Sequence, residues 1–137
     1  MTDIESLARH AIDCGFAIHR DLGPGLFESV YQTLMVKLLE QRGLRVEAQK
    51  PISFVYAGIR FEDAFRADLL VEERLLVELK SLERVATVHS KQLLTYLRLM
   101  DLPLGLLMNF GAATFKEGVQ RVLNAKADLS QVEIRRR

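Results

Sequence analysis

The sequence predicts one α/β domain in the order helix, helix, three or four strands, helix and strand. Over the first 42 residues, apolar side chains recur at steps of three and four, which is typical of helices. From residue 44 to residue 80, apolar and polar side chains alternate as they do in strands. A further helical segment and an almost wholly apolar run of strand length follow. The 137 residues suffice for one hydrophobic core, and no repeat, linker or low-complexity segment divides them.

Two helices open the chain. Thr2 and Glu5 have the spacing of a capping box, which predicts that the first helix begins there. The apolar face of this helix carries Ile4, Leu7, Ala8, Ala11, Ile12, Gly15, Ile18 and His19. Gly23-Pro24-Gly25 then breaks the chain, and a second helix is predicted from about Phe27 to Arg42, with Gly43 at its C-terminal stop. The residues predicted to face inward on the second helix are Phe27, Val30, Tyr31, Leu34, Met35, Leu38 and Leu39.

Strands are predicted between Leu44 and Lys80. A first strand is indicated by alternating side chains, and Ala57-Gly58 indicates the turn that ends it. Its alternating apolar residues are Val46, Ala48, Ile52, Phe54 and Tyr56. Two further segments of strand character span Phe65 to Val71 and Leu75 to Lys80.

The last third of the chain adds a helix, a strand and a segment of ambiguous pattern. The helix is predicted from about Val85 to Met100, before a proline that cannot continue it. Leu104 to Phe110 is nearly all apolar, as in a strand that is covered on both faces. Thr114 to Asn124 fits either a helix or a strand, and we favour a short helix. Arg135-Arg136-Arg137 is predicted to be a frayed end.

The composition is that of an ordinary soluble domain. Hydrophobic residues make up 49% and charged residues 27%, and the net charge of +1 means that any phosphate-binding surface would be local. The single cysteine, Cys14, excludes an internal disulfide and a cysteine-rich zinc site, and a buried, inert thiol is the simplest interpretation. We find no signal peptide, no apolar stretch near the ~20 residues that span a bilayer and no organic-cofactor motif, so we expect a cytoplasmic protein without a membrane partner.

The most informative residues are acidic and lie in two neighbouring strands. If Val71 faces Leu75 across a tight turn, then Asp68 lies opposite Glu78. Directly opposed like charges weaken a sheet, unless a cation lies between them. Hard divalent cations such as Mg²⁺ prefer oxygen ligands, so a metal ion is the obvious candidate. Lys80 lies two residues after Glu78 and therefore shares its face of the strand.

Other candidate residues lie on the helices, and each also has an ordinary structural explanation. Glu28, in the first turn of the second helix, would be favourable with the helix dipole alone. Gln92 and Tyr96 are four residues apart on one side of the third helix, which could be a solvated face. His89 falls on that side too, and a polar edge residue is its simplest interpretation. Glu78 with Lys80 could form a surface ion pair worth under roughly 1 kcal/mol, although the flanking leucines imply a buried strand.

Taken together, these residues resemble a known signature. An Asp that ends one strand, followed by Glu-x-Lys on its neighbour, is similar to the signature of the PD-(D/E)xK nuclease superfamily. Gly25-x-x-Glu28-x-x-Tyr31 and Gln92-x-x-x-Tyr96, in this order, resemble one branch of that superfamily, the GxxExxY proteins. The segments Gly23 to Leu26 and Leu106 to Gly111 resemble the branch as well. The likeness covers about residues 15 to 123, and it departs from the superfamily pattern at Ala67, where a proline is common.

The resemblance implies a restriction-endonuclease-like α/β core of helix, three-stranded meander, helix and strand, with a mixed sheet flanked by helices and an extra N-terminal helix. It implies a metal site at Asp68 and Glu78, to which Glu28 contributes directly or through water, and Gln92 and Tyr96 would line the substrate side. We hypothesise that the Leu79 backbone carbonyl joins these ligands and that the ion is Mg²⁺ or Mn²⁺. The lysine after Leu79 would orient the attacking water and stabilise the transition state.

The expected activity is hydrolysis of phosphodiester bonds in nucleic acid, with DNA favoured. The sequence does not distinguish DNA from RNA or endonuclease from exonuclease cleavage. A homodimer is one arrangement that would let so small a domain embrace a duplex. The alternative is a non-catalytic module that binds nucleic acid or protein on a nuclease scaffold, because a net charge near zero is low for a nucleic-acid enzyme. A small-molecule enzyme that uses the same carboxylates is a third, less supported interpretation.

Overall fold

The computed structural model describes residues 3–125 and contains four helices and five strands within that range. The elements in chain order are α1 Ile4–Leu22, α2 Glu28–Gln41, β1 Val46–Tyr56, β2 Ile59–Val71, β3 Leu75–Lys80, α3 Thr87–Met100, β4 Leu104–Asn109, α4 Phe115–Gly118 and β5 Val119–Leu123. The region from 44 to 80 therefore holds three strands. The turn between β1 and β2 lies at Ala57 and Gly58, both with positive φ, as the sequence predicts.

The five strands form one mixed sheet in sequence order. β1, β2 and β3 make an antiparallel meander, β4 runs parallel to β3, and β5 returns antiparallel to β4. The parallel pair requires a crossover connection, and α3 supplies it. The order of α2, meander, α3 and β4, preceded by α1, is the restriction-endonuclease-like architecture that the sequence implies.

Helices cover both faces of the sheet and bury two apolar clusters. The first cluster lies between the sheet and the pair α1 and α2, and it includes the free thiol of Cys14, whose pKa burial raises. The second cluster lies between the sheet and α3, and Leu76 and Leu107 belong to it. β4 is buried along its whole length, as its uniformly apolar sequence predicts. Within residues 3–125, no helix is long and apolar enough to cross a membrane.

The starts of α1 and α2 differ from the predicted ones. Asp3 caps α1 by accepting a hydrogen bond from the Ser6 backbone N–H at 2.8 Å, whereas Thr2 lies outside the described residues. α2 begins at Glu28, and the predictions that Phe27 and Val30 face inward are wrong because these side chains are 82% and 39% exposed. The fully buried stripe of α2 is narrow, with four-residue steps from Tyr31, and neither Phe27 nor Val30 belongs to it.

The prediction of a short helix over Thr114 to Asn124 is only partly right. A single helical turn, Phe115–Gly118, is followed by β5, which pairs with β4 from Met108 opposite Val119 to Leu104 opposite Leu123. Pairing with a strand already in the sheet satisfies the backbone groups of this segment, and no local propensity reveals that partner. The frayed end predicted at 135–137 lies outside the described residues.

Candidate active site on the central hairpin

The hairpin of β2 and β3 sets two carboxylates against each other. Its predicted register is confirmed, because Val71 pairs with Leu75 and Leu69 pairs with Val77. One step further along this register brings Asp68 opposite Glu78. The alternation of side chains places Glu78 on the face of β3 that carries Leu76, beneath α3.

Asp68 and Glu78 replace the ordinary backbone ladder with side-chain hydrogen bonds. The Asp68 backbone N–H donates to Glu78 Oε2 at 3.0 Å, and the Leu79 backbone N–H donates to Asp68 Oδ2 at 2.8 Å. Each carboxylate thus accepts a bond from the opposite strand, and both side chains are fixed where the hairpin separates. This reciprocal arrangement holds two acidic groups together in spite of their repulsion.

The environment of Glu78 opposes its ionisation. The residue is only 6% exposed, and its pKa is raised from the ordinary 4.5 to about 8. Burial is the main cause, the charge of Asp68 is the second, and Glu28 adds to the effect. The hydrogen bond from the Asp68 N–H and the charge of Lys80 act in the opposite direction. Glu78 is therefore a buried acid that a nearby positive charge would convert to the carboxylate.

Asp68 is also held from the side of β1, by residues that the sequence did not single out. Gln49 Nε2 donates to Asp68 Oδ1 at 3.1 Å and to Gln32 Oε1 of α2 at 2.7 Å. Gln49 has a φ of +52°, which is uncommon for a residue other than glycine within a strand. No motif marks either glutamine, because their contacts join three separate elements. The register of β1 against β2, in which Ala48 pairs with Leu69, is what brings them together.

Glu28 approaches this group from the N-terminus of α2. Partial burial raises the pKa of Glu28 and the charge of Asp68 raises it further, whereas Lys80 and His89 lower it. Asp68, Lys80 and His89 are thus close enough to Glu28 to change its pKa. The Glu28 side chain is exposed at the start of its helix, so it can change its conformation more freely than the buried Glu78.

Tyr31, which follows Glu28 in the Gly-x-x-Glu-x-x-Tyr motif, positions the loop before α2. Its hydroxyl donates to the Gly23 carbonyl at 2.7 Å and accepts from the Leu26 N–H at 3.2 Å. The ring is fully buried and stacks on Phe110, with centroids 4.3 Å apart. The tyrosine therefore supports the segment that presents Glu28 and lies too deep to contact a substrate.

α3 brings one of its two predicted site residues to the carboxylates. Tyr96 stacks on Phe65 of β2 with centroids 3.9 Å apart, and its pKa is raised by burial and by the charges of Glu78 and Asp68. Gln92 is exposed one turn earlier and has no hydrogen bond to the acidic group among residues 3–125. His89 Nδ1 accepts from the Ala86 N–H at 3.1 Å, which gives it a role at the start of the helix.

The end of β4 fixes the chain that leaves the site after Lys80. The Asn109 side chain accepts from the Leu82 N–H and donates to the Leu82 carbonyl, both at 2.9 Å. A Cβ at Gly111 would overlap that same carbonyl oxygen, so only glycine fits there. These contacts give a structural reason for the Leu106 to Gly111 segment in the sequence pattern.

The acidic residues do not form a complete metal-binding cage by themselves. Across the described part of the chain, no three side chains of His, Cys, Asp or Glu lie together in a group that could hold an ion. The preassembled element is the pair Asp68 and Glu78, with Glu28 and Lys80 near it.

Comparison with known proteins agrees with this geometry. A family model described as the PD-(D/E)XK nuclease superfamily matches residues 5–122, which is most of the chain. No curated protein and no solved structure gave a significant match. The matched range runs from α1 into β5 and includes the whole central hairpin. The chain belongs to the PD-(D/E)XK nuclease superfamily.

Proposed function

We propose that the protein is a divalent-metal-dependent nuclease of the GxxExxY branch that hydrolyses phosphodiester bonds in nucleic acid, with DNA as the expected polymer. The observation that carries this proposal is the opposed pair of Asp68 and Glu78, locked by reciprocal hydrogen bonds in a largely buried position. Burial and then the charge of Asp68 raise the pKa of Glu78, and an acid kept in such a position is unfavourable for a purely structural element. Such a cost is common at functional sites.

The residues present fit a hard divalent cation. Asp68, Glu78, the Leu79 carbonyl and Glu28 offer only oxygen donors, which Mg²⁺ and Mn²⁺ prefer. The cation would favour the charged form of Glu78 and relieve its repulsion with Asp68. Because the cage is incomplete in the described residues, Glu28, water or the substrate phosphate would complete the coordination. A bound ion of this kind supplies charge neutralisation at the phosphate and lowers the pKa of water.

Lys80 is assigned the orientation of the attacking water and the stabilisation of charge on the phosphate. It shares a strand face with Glu78, and the charge of Lys80 acts on both Glu78 and Glu28. The N–H groups of its side chain would donate hydrogen bonds to the water and to the phosphate oxygens. Tyr96 can donate a hydrogen bond to the phosphate, and Gln92, one turn away, can contact the strand further out.

The decisive experiment is cleavage by Lys80→Ala protein beside the wild type. A panel of single- and double-stranded DNA and RNA is incubated with Mn²⁺ or Mg²⁺. We expect the variant to lose about 100- to 1,000-fold in rate, the scale of removing one preorganised donor. Its melting temperature should stay close to that of the wild type. Lys37→Ala, on an exposed position of α2, is the matched control and should cleave normally. Undiminished cleavage by Lys80→Ala would refute the assignment.

A non-catalytic binding module is the second candidate, and two observations favour it. The net charge is only +1, and the described residues contain no complete metal-binding group. Calorimetric titration with Mn²⁺ separates the two functions. A nuclease should bind the ion and lose most of that binding in Glu78→Gln, whereas a binding module should show no site-specific heat in either protein.

A further inference from the structure

A cleft of about 560 Å³ opens beside Glu28. Its lining includes Leu26, Phe27, Glu28, Ser81, Leu82 and Glu83. One wall is the loop before α2, and the other is the segment after β3. Glu28 belongs both to this lining and to the charged group around Asp68. The cleft is therefore continuous with the candidate active site.

Phe27 is the most exposed large apolar side chain within residues 3–125, at 82%. Phe27 belongs to neither of the two apolar clusters, although the sequence pattern predicts an inward position for it. Burying an aromatic ring is favourable by roughly 2 to 3 kcal/mol, and Phe27 forgoes most of that gain. An aromatic ring left in solvent at the rim of a cleft is a candidate for contact with a ligand.

The loop that precedes Phe27 is held in place by three hydrogen bonds. The Tyr31 hydroxyl bonds the Gly23 carbonyl and the Leu26 N–H, and Ser81 Oγ donates to the Leu26 carbonyl at 2.5 Å. The bond from Ser81 ties the loop to the chain that leaves β3. The ring is thus presented by a preorganised segment, which reduces the entropy lost when a ligand binds.

The charges of the cleft decide which part of a nucleic acid it accepts. Glu28 and Glu83 are the charged side chains of the lining, and no lysine or arginine is among the lining residues. A phosphate would be repelled by two carboxylates. A nucleobase is neutral, stacks on an aromatic face and offers amino groups that carboxylates accept.

We propose that Phe27 is a stacking platform for an unpaired base adjacent to the phosphate that is cleaved, so that the substrate is a single strand or an overhang rather than continuous duplex. The inference rests on the proposed nuclease function. In a duplex each base is stacked between its neighbours and paired, so its face reaches Phe27 only after extrusion from the helix. An unpaired nucleotide does not require the free energy of extruding a base from a duplex. Glu83 and the backbone groups around it would contact the edge of the stacked base.

The test measures binding without cleavage. Fluorescence anisotropy in EDTA gives the dissociation constants of a labelled single-stranded DNA oligonucleotide, the same strand with abasic sites, and a blunt duplex. The proteins are the wild type, Phe27→Ala, Phe27→Trp and Phe16→Ala. Phe16 is also an exposed phenylalanine, at 53%, but lies on α1 and is the matched control. Melting curves of each variant verify that it is folded.

We expect Phe27→Ala to weaken binding of the single strand by about 5- to 150-fold, and Phe27→Trp and Phe16→Ala to bind it nearly as well as the wild type. The abasic strand should bind weakly to every protein and be insensitive to the substitution at Phe27, since it has no base to stack. The proposal would be overturned if wild type and Phe27→Ala bound the single strand equally well, or if the substitution weakened binding of the abasic strand by the same factor. It would also be overturned if the wild type showed no measurable binding. A duplex that depends on Phe27 as strongly as the single strand does would overturn the preference for unpaired substrate.

The outcome is independent of the proposed cleavage chemistry. If Phe27 carries base stacking but no polymer is cleaved in Mn²⁺ or Mg²⁺, the protein is a binding module with a base-stacking site. If duplex is cleaved normally by Phe27→Ala, the nuclease function stands and the stacking inference fails.

Discussion

At the scale of single residues, the hydrogen bonds to the two carboxylate oxygens of Asp68 fix the geometry of the site. Asp68 accepts hydrogen bonds on both carboxylate oxygens, from Gln49 and from the Leu79 N–H. Its side chain is therefore oriented by two different neighbours, one on each adjacent strand. Gln49 itself is oriented by Gln32, so a chain of hydrogen bonds connects α2 to the acidic pair. In the proposed metal site, such supporting contacts would orient the Asp68 side chain before any ion is bound.

Gln49 can be tested without adding backbone strain. Asparagine tolerates a positive φ better than glutamine does, while its shorter side chain withdraws the amide from Asp68. We expect Gln49→Asn to lower Mn²⁺ affinity by about 10- to 100-fold, the usual range for residues that support a metal ligand. Calorimetric titration with Mn²⁺ measures the change.

Gln41→Asn, at the exposed end of α2, is the matched control for this substitution and should bind Mn²⁺ as the wild type does. Gln32→Ala removes only the outer hydrogen bond and should have a smaller effect than Gln49→Asn. Unchanged Mn²⁺ affinity in Gln49→Asn would mean that Asp68 is held sufficiently by the Leu79 N–H alone.

At the scale of elements, α2 and the end of β4 together position the site. Tyr31 stacks on Phe110 just after β4, so the loop before α2 is anchored at the end of β4. Asn109 holds the chain after β3 in a similar way. The two anchored segments form the walls of the cleft beside Glu28. Each wall thus depends on a buried side chain that never reaches the cleft.

Removal of one hydroxyl tests this anchoring. Tyr31→Phe keeps the stacked ring and loses the bonds to the Gly23 carbonyl and the Leu26 N–H. We expect the free energy of unfolding to fall by about 1 to 2 kcal/mol, because partly buried groups lose their partners. Any cleavage activity should fall too, since Glu28 follows this loop. Urea denaturation monitored by circular dichroism measures the stability.

Thr33→Ala is the control for Tyr31→Phe, because it also removes a hydroxyl that bonds a backbone carbonyl but lies exposed on the same helix. It should change stability by under roughly 0.5 kcal/mol. A Tyr31→Phe protein as stable and as active as the wild type would show that the loop is held by other contacts.

At the scale of the whole molecule, a buried acid couples the stability of the fold to pH. The pKa of Glu78 is about 8 in the folded protein against an ordinary 4.5, so between these values the folded state binds a proton that the unfolded state has lost. Stability from this group is complete below pH 4.5 and is lost as the pH rises through 8. The same coupling means that a bound cation would release that proton.

The pH dependence can be measured on metal-free protein in EDTA. We expect the free energy of unfolding of the wild type to decline between about pH 5 and pH 8, at most by roughly 1.4 kcal/mol per pH unit from this one group. Glu78→Gln keeps an acceptor for the Asp68 N–H and should lack that decline. Glu40→Gln, exposed on α2, should follow the wild type. Parallel curves for Glu78→Gln and the wild type would contradict the raised pKa.

Local sequence patterns predict much of the architecture, because hydrophobic periodicity is a property of residues that are close in the sequence. The three long helices, the turn at Ala57-Gly58 and the buried β4 all follow from spacing that can be read in the sequence. The hairpin register that opposes Asp68 and Glu78 also follows from it, since a short turn leaves few ways to pair two strands. The superfamily could be recognised for the same reason: its motif lies on neighbouring strands.

The remaining features depend on contacts between distant segments, and only the tertiary structure determined them. β5 forms because β4 offers it a free edge, although its own sequence is compatible with a helix. Phe27 stays in solvent because α2 buries only a narrow stripe, and Gln49 reaches Asp68 because β1 and α2 meet there. Periodicity states which side of an element is apolar, but the packing of the other elements decides how much of that side is covered.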